Sequence, residues 1–282
     1  MATTCPICRH PVEPAFAKDG FQFVRCRGCG LGFLDPLPAR EYLRAFYNRE
    51  NYYCSDTVGY FDYAILETGL KRMYGRFLRG LARRYGFDVR GKAVLDVGCA
   101  YGFFLDTARA AGAATLWGND ISTDGAATVT GKGYGFVPGP FEDADFEGRR
   151  FDLVFMGDVF EHLRDPAAAV ERLRGLVVEG GLVMLSTVDF GSAFARILGR
   201  RWRLVIPPQH VYLWTARALA LLFTGHGFAG GCHRYWLHLP ARYLAQRFKA
   251  QFGFSPWGLT WLPVRTLPVP SFDTMLCVFR RG

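Results

Sequence analysis

The stretch Val94-Leu95-Asp96-Val97-Gly98-Cys99-Ala100-Tyr101-Gly102 constrains this chain more than any other. An apolar strand runs into a turn of small residues, and the turn opens a helix. Asp120 follows 18 residues after Gly102, at the end of Thr115-Leu116-Trp117-Gly118-Asn119-Asp120. Strand, turn, helix, second strand and terminal acid together make the layout of a site for a ribose-bearing cofactor. Glycines let the backbone approach a ligand closely. A carboxylate at the end of the second strand can take both ribose hydroxyls.

The spacing argues against a dinucleotide. The pattern is Asp96-x-Gly98-x-Ala100-x-Gly102 rather than Gly-x-Gly-x-x-Gly. A pyrophosphate wants bare N–H groups at a helix N-terminus, and a carboxylate at the lip of the turn repels it. S-adenosylmethionine carries a sulfonium and an ammonium and no phosphate. Asp96 then helps to order the turn near the positive end of that cofactor.

Around this turn, apolar runs alternate with helical patterns, which implies a parallel sheet. Strands are expected at 92–97, 114–119, 134–137, 151–156 and 181–187, with final strands at 228–237 and 273–280. Helices are expected at 39–50, 102–112, 123–132 and 166–178. A longer one is expected over 60–86, where Tyr60, Tyr63, Leu66, Leu70, Met73, Phe77 and Leu81 recur at three- and four-residue steps. Asp165-Pro166 starts the 166–178 helix, with Asp as cap and Pro in the first turn. Ligands in such sheets sit at the carboxyl ends of the strands. Gly98, Asp120, Phe141 and Asp158 fall there. Segment 238–272 is rich in Leu, Phe, Trp and Pro, and reads as an insertion shaping an acceptor pocket. The divisions are residues 1–36, a helical cap or linker over 37–90, and the sheet domain over 91–282.

Cys5-Pro6-Ile7-Cys8 and Cys26-Arg27-Gly28-Cys29 form two Cys-x-x-Cys pairs with 17 residues between them. Four thiolates at this spacing close a tetrahedral zinc site, and no position stays open for water, so the metal is structural. A redox motif would need one pair opening a helix. The ribbon has too little apolar content to fold alone, and zinc supplies its folding free energy. Cys54, Cys99, Cys232 and Cys277 form no pattern and read as buried small hydrophobes.

The 282 residues are half apolar, enough for a sizeable core. No apolar run reaches the roughly 18 residues of a membrane span. The N-terminus has no basic start followed by an apolar stretch, so a cytoplasmic, reducing location is expected. The net charge is +9. Basic clusters at 76–84, 196–203 and 242–249 suit an anionic partner or are solvated helix faces. The basic amphipathic part of 238–272 is a lid over an apolar or lipid-linked acceptor, or a peripheral membrane contact.

Residues 94–188 resemble a class I S-adenosylmethionine-dependent methyltransferase. VLDVGCAYGFF is similar to the family's first motif and WGNDIS to its second. FDLVFMGDVFEHLRDP and LRGLVVEGGLVMLSTV are similar to its fourth and fifth strands with their flanking loops. The family usually has Gly where Ala100 stands. An N-terminal ribbon of the Cys-x-x-Cys…Cys-x-x-Cys-Gly form, a short Pro-containing segment and a Tyr-rich stretch also resemble bacterial members. The resemblance implies a Rossmann-like α/β fold with a seven-stranded, mostly parallel sheet behind a small zinc ribbon. It implies S-adenosylmethionine held by Asp96, Gly98, Cys99, Ala100, Tyr101, Gly102, Asp120, Ile121, Phe141 and Asp158. Structural zinc falls on Cys5, Cys8, Cys26 and Cys29.

A hydroxyl acceptor needs a base. His162, with Glu161 beside it, and His210 are the candidates, because histidine titrates near neutrality. Some relatives bind a divalent metal with Glu and His at this place. The implied activity is O-methylation of a sugar, a glycan or a secondary-metabolite hydroxyl. RNA methylation is the alternative, although no Asn-Pro-Pro-Tyr loop follows the fourth strand. A non-enzymatic zinc-ribbon interaction protein is the third reading, against which Gly98, Gly102 and Asp120 stand intact.

Overall fold

A computed structural model describes residues 3–47, 66–239 and 267–282, together with positions 249 and 253. Its centre is a seven-stranded sheet in the order β10-β13-β8-β7-β4-β5-β6. These strands are β4 (Ala93–Val97), β5 (Thr115–Asp120), β6 (Gly135–Pro138), β7 (Phe151–Gly157), β8 (Val177–Val188), β10 (Phe228–His233) and β13 (Thr274–Arg281). β13 runs antiparallel to both of its neighbours, and the other pairs are parallel. The mostly parallel Rossmann-like sheet expected from the sequence is present.

Period-two alternation divides the core between the two faces of the sheet. Val154, Met156, Val183, Leu185, Cys277 and Phe279 enter one apolar layer. Leu153, Phe155, Leu182, Met184, Leu276 and Val278 enter the other. The helix Glu67–Tyr85 packs against the helix Phe103–Ala110 on the second face. Met73, Phe77 and Leu81 are buried there, as their helical spacing requires. The start of the expected 60–86 helix, with Tyr60 and Tyr63, lies outside the described residues, as do Cys54 and positions 240–248, 250–252 and 254–266 of the expected insertion. The described edges of that insertion, β11 (Trp236–Leu239) and β12 (Leu267–Pro270), pair with each other.

Two readings are corrected here. The strand expected over 228–237 is two strands, broken at Arg234 and Tyr235. Cys232 and Cys277 are joined in a disulfide rather than standing as separate buried thiols. They are 45 residues apart in sequence, and only the β10–β13 register sets them opposite each other.

The N-terminal segment forms β1 (Val12–Lys18), β2 (Phe21–Cys26) and β3 (Gly32–Leu34). A fourth strand, β9 (Tyr212–Leu213), completes this sheet from far along the chain by pairing with β3. Phe23, Val24, Leu31, Phe33 and Leu34 share one apolar cluster with Trp202, Val205, Val211 and Leu213. The apolar surface that the ribbon cannot bury by itself is thus buried against the larger body.

The helix Pro166–Leu176 starts as its sequence dictates, with the Asp165 carboxylate accepting the Ala168 N–H at 3.0 Å. Loss of such a cap costs about 1 kcal/mol. Asp165→Ala is therefore expected to lower the unfolding free energy by about that amount, read by urea denaturation, and to leave the slope of the transition unchanged.

Candidate functional site

The turn after β4 is built on left-handed backbone. Gly98, Ala100 and Gly102 have φ of 73°, 45° and 75°. A Cβ at Gly98 would sit 2.4 Å from a methyl carbon of Val159, so only glycine fits. Ala100 holds the same kind of conformation with a side chain, which costs roughly 1 kcal/mol. The Asp120 carboxylate fixes this shape. One oxygen accepts the Ala100 N–H at 2.8 Å and the other accepts the Ser122 N–H at 2.9 Å. The end of β5 thus clamps the turn after β4, with Ile121 half-buried between the two anchored residues.

Asp96 is buried beneath the turn. Burial, and then the neighbouring Asp120 charge, push its carboxyl well above the usual carboxylate range. A cation brought to this place would restore the ionised form. Cys99 is also buried, and Tyr101 half-buried. Lys132 donates to the Tyr101 carbonyl at 2.8 Å and to Asp106 at 2.9 Å, bracing the turn from outside. Asn119 donates to the carbonyls of Val137 and Gly139, both at 2.9 Å, and so fixes the loop after β6 beside Asp120. Sequence reasoning missed both residues. Asn119 carried a signal, as a buried polar residue next to the key acid, whereas Lys132 carried none. Phe141, in that loop, is buried against Phe146 and under the Arg172 guanidinium.

At the end of β7, Asp158 is exposed and left-handed, with φ of 53°. Its N–H donates to the Ser186 carbonyl, and the Ser186 hydroxyl donates to its carboxylate at 3.2 Å. Three residues on, Glu161 is buried and accepts the Thr187 hydroxyl at 2.8 Å. A carboxylate oxygen of Glu161 and one ring nitrogen each from His162 and His210 lie within 4.8 Å of one another. The two rings meet edge to face with centroids 4.9 Å apart.

Residues 48 positions apart in sequence thus form one group. His162 is held by the carbonyls of Gln209 and Asp158, and Nδ1 of His210 lies 2.8 Å from the Leu204 carbonyl. Burial drives His162 down to about 4 and His210 well below the ordinary histidine value. Burial, and then the Asp158 charge, drive Glu161 up to about 8. The group is electrically neutral near pH 7 and can take up or release a proton. Its three donor atoms also suit a divalent cation.

The four N-terminal cysteines make a second cluster. The Cys5 and Cys29 sulfurs are 3.7 Å apart, and those of Cys8 and Cys26 are 3.3 Å apart. Tetrahedral zinc with Zn–S bonds of about 2.3 Å needs sulfurs about 3.8 Å apart. Backbone N–H groups of Ile7, Gly28 and Cys29 point at the Cys5 and Cys26 sulfurs at 3.3–3.4 Å, as knuckles stabilising thiolates do. The donor set fits zinc.

Comparisons with known proteins bear on family and fold. A family profile described as "Methyltransferase domain" matches residues 69–231. A ubiquinone biosynthesis O-methyltransferase of Neisseria meningitidis serogroup C is 32% identical over 139 residues, covering 45% of this chain and 58% of that protein. A tRNA U34 carboxymethyltransferase of Pseudomonas fluorescens is 34% identical over 110 residues, covering 36% of this chain and 34% of that protein. The chain thus spans little more than half the length of the first of these relatives and about a third of the second. Among solved structures, magnesium protoporphyrin IX methyltransferase from Synechocystis, bound to SAH, superposes with a TM-score of 0.55 at 15% identity. That match covers 86% of this chain and all of the other, and shows a shared fold.

The Glu161 carboxyl titrates higher folded than its ordinary 4.5. Its contribution to stability is therefore fully present below about 4.5 and is lost as pH rises to about 8. His162 acts in the opposite window, its contribution being lost as pH falls from 6.5 to about 4. Glu161→Gln fixes the neutral form. The stability of wild type relative to this variant is expected to fall by on the order of 1 to 3 kcal/mol between pH 5 and 8. Denaturant titrations in that range check it, and parallel profiles for the two proteins would refute the assignment.

Proposed function

This chain belongs to the methyltransferase-domain family, and we propose that it transfers a methyl group from S-adenosylmethionine to a hydroxyl of a small molecule. Sugars, glycans and secondary metabolites are the acceptor classes. The convergence of Glu161, His162 and His210 beside the end of β7 carries this reading. Similarity to a ubiquinone biosynthesis O-methyltransferase supports an oxygen acceptor.

The cofactor, when bound, supplies a methyl group on a sulfonium, already a good leaving group. Asp120 holds the ribose hydroxyls while its carboxylate keeps the turn closed. Gly98 and Gly102, with Cys99, Ala100, Tyr101 and Ile121, shape the surface around it, Phe141 closes the adenine side, and Asp96 faces the positive end. Asp158 stands where the acceptor enters. The histidine pair takes the acceptor proton as oxygen attacks carbon. Glu161 stabilises that imidazolium in its ionised form, which becomes the dominant one above about pH 8. Alignment and exclusion of water supply the rest of the rate.

Zinc on Cys5, Cys8, Cys26 and Cys29 is structural in this scheme. Among the described residues no helix is long and apolar enough to cross a membrane. RNA is the second reading, favoured by the net charge of +9 and by the similarity to a tRNA U34 carboxymethyltransferase.

Calorimetry with S-adenosylmethionine is the first test. Asp120→Ala is expected to weaken binding about a hundredfold or more, since a charged hydrogen-bonding partner and the clamp on the turn both go. Methyl transfer from labelled cofactor to a panel of sugars, hydroxyl-bearing secondary metabolites and bulk tRNA is the second. His162→Asn and His210→Asn are each expected to lower transfer to the hydroxyl acceptor about 10²- to 10⁴-fold while cofactor affinity holds. Label found only in RNA, with binding that falls steeply with salt, would overturn the small-molecule reading.

A further inference from the structure

The cysteine ribbon and the histidine group are joined through one short strand. β9 lies between His210 and Thr215, and pairs through Gly32↔Leu213 and Phe33↔Tyr212. Its other neighbour is the loop bearing Glu161. The Glu161 carbonyl accepts both the Val211 N–H at 3.0 Å and the Tyr212 N–H at 3.2 Å, and the Leu34 N–H donates to the Val211 carbonyl at 3.0 Å. At the far end, the Thr215 hydroxyl donates to the carbonyl of Cys29 at 2.7 Å, so a cysteine of the cluster is tied directly to this segment. Lys18 caps the Val205 carbonyl at 2.5 Å, on the loop whose Leu204 carbonyl holds His210. The Phe16 ring packs on Phe190, and Gly32 leaves the Phe190 ring room that a Cβ would close to 2.9 Å. Every bond named here lies outside the cofactor turn, which is clamped from β5 instead.

We propose that the metal-loaded ribbon is the positioning element for the acceptor-side group: metal at Cys5, Cys8, Cys26 and Cys29 fixes β3, β3 fixes β9, and β9 holds Glu161 and His210 in register. The cofactor turn stays folded without it. Thr215 is the positioning residue that transmits the state of Cys29. The functional meaning of the group rests on the methyl-transfer reading above, but the coupling itself does not.

Hydrogen exchange on the full chain tests the coupling, with and without zinc removed by a chelator and then restored. On removal, the amides of Val211, Tyr212 and Leu213 are expected to lose protection at least about tenfold. Amides of β4 and β5 are expected to change less than about twofold, and cofactor affinity less than about threefold. Ring resonances of His210 should shift and return with zinc. Thr215→Asp keeps the acceptor that caps the following helix and removes the donor to Cys29, so the zinc-loaded variant should reproduce the zinc-free pattern at 211–213. Thr215→Ser keeps both bonds and should match wild type. Unchanged protection at 211–213 on zinc removal overturns the proposal, and so does a loss spread equally over β4 and β5. A Thr215→Asp protein identical to wild type removes Thr215 from the path and overturns its role. A zinc-loaded wild type that binds no S-adenosylmethionine defeats the methyl-transfer reading instead, while the exchange pattern still reports on the coupling.

Discussion

The hydrogen bond from the Ala100 N–H to the Asp120 carboxylate is the contact on which the site is built. It joins the ends of two adjacent parallel strands, and neither strand alone shapes a pocket. Charged acceptors make the stronger hydrogen bonds, and this one lies out of water, where an unpaired partner is costly. The same carboxylate also fixes Ser122, and Asn119 next to it fixes the loop after β6. Two consecutive residues at one strand end therefore order three loops. The strain held at Ala100, φ 45°, persists because its N–H is anchored in this way.

The acceptor side follows another logic. Glu161 and His210 are buried and His162 is half-buried, and loss of water is the largest cause moving the carboxyl up and the two imidazoles down. Such a group is unstable in its charged forms, so any proton it receives must be balanced at once by the carboxyl beside it. That requirement sets a tight demand on relative position. Backbone carbonyls of Leu204 and Gln209 meet it for the rings, and the Thr187 hydroxyl meets it for the carboxyl.

Much of the first site was legible in the sequence, because it is local. The strand, the turn glycines and the acid after the next strand lie within 27 residues, and their spacing encodes the parallel pair. The Asp165 cap was legible for the same reason. The second site was legible only as parts. His162 and His210 were each visible, but their meeting depends on the loop at 202–211 folding back onto the end of β7. The Cys232–Cys277 bridge stayed hidden because two small residues on separate strands leave no periodic trace. The four ribbon cysteines were visible from spacing, since both knuckles are local; the partner of β3 was not, because two residues are too short a run to read as a strand.

That short strand explains why a ribbon of so few apolar residues persists at the N-terminus. The ribbon that carries the four cysteines presents a free strand edge on β3. An unpaired edge is a liability in water, and here β9 covers it. The covering strand in turn spends its outer hydrogen-bonding groups on the Glu161 carbonyl. Edge protection and positioning of the buried carboxyl are therefore one device. A substitution that loosens either is transmitted to the other through Tyr212 and Leu213, without passing through the cofactor turn.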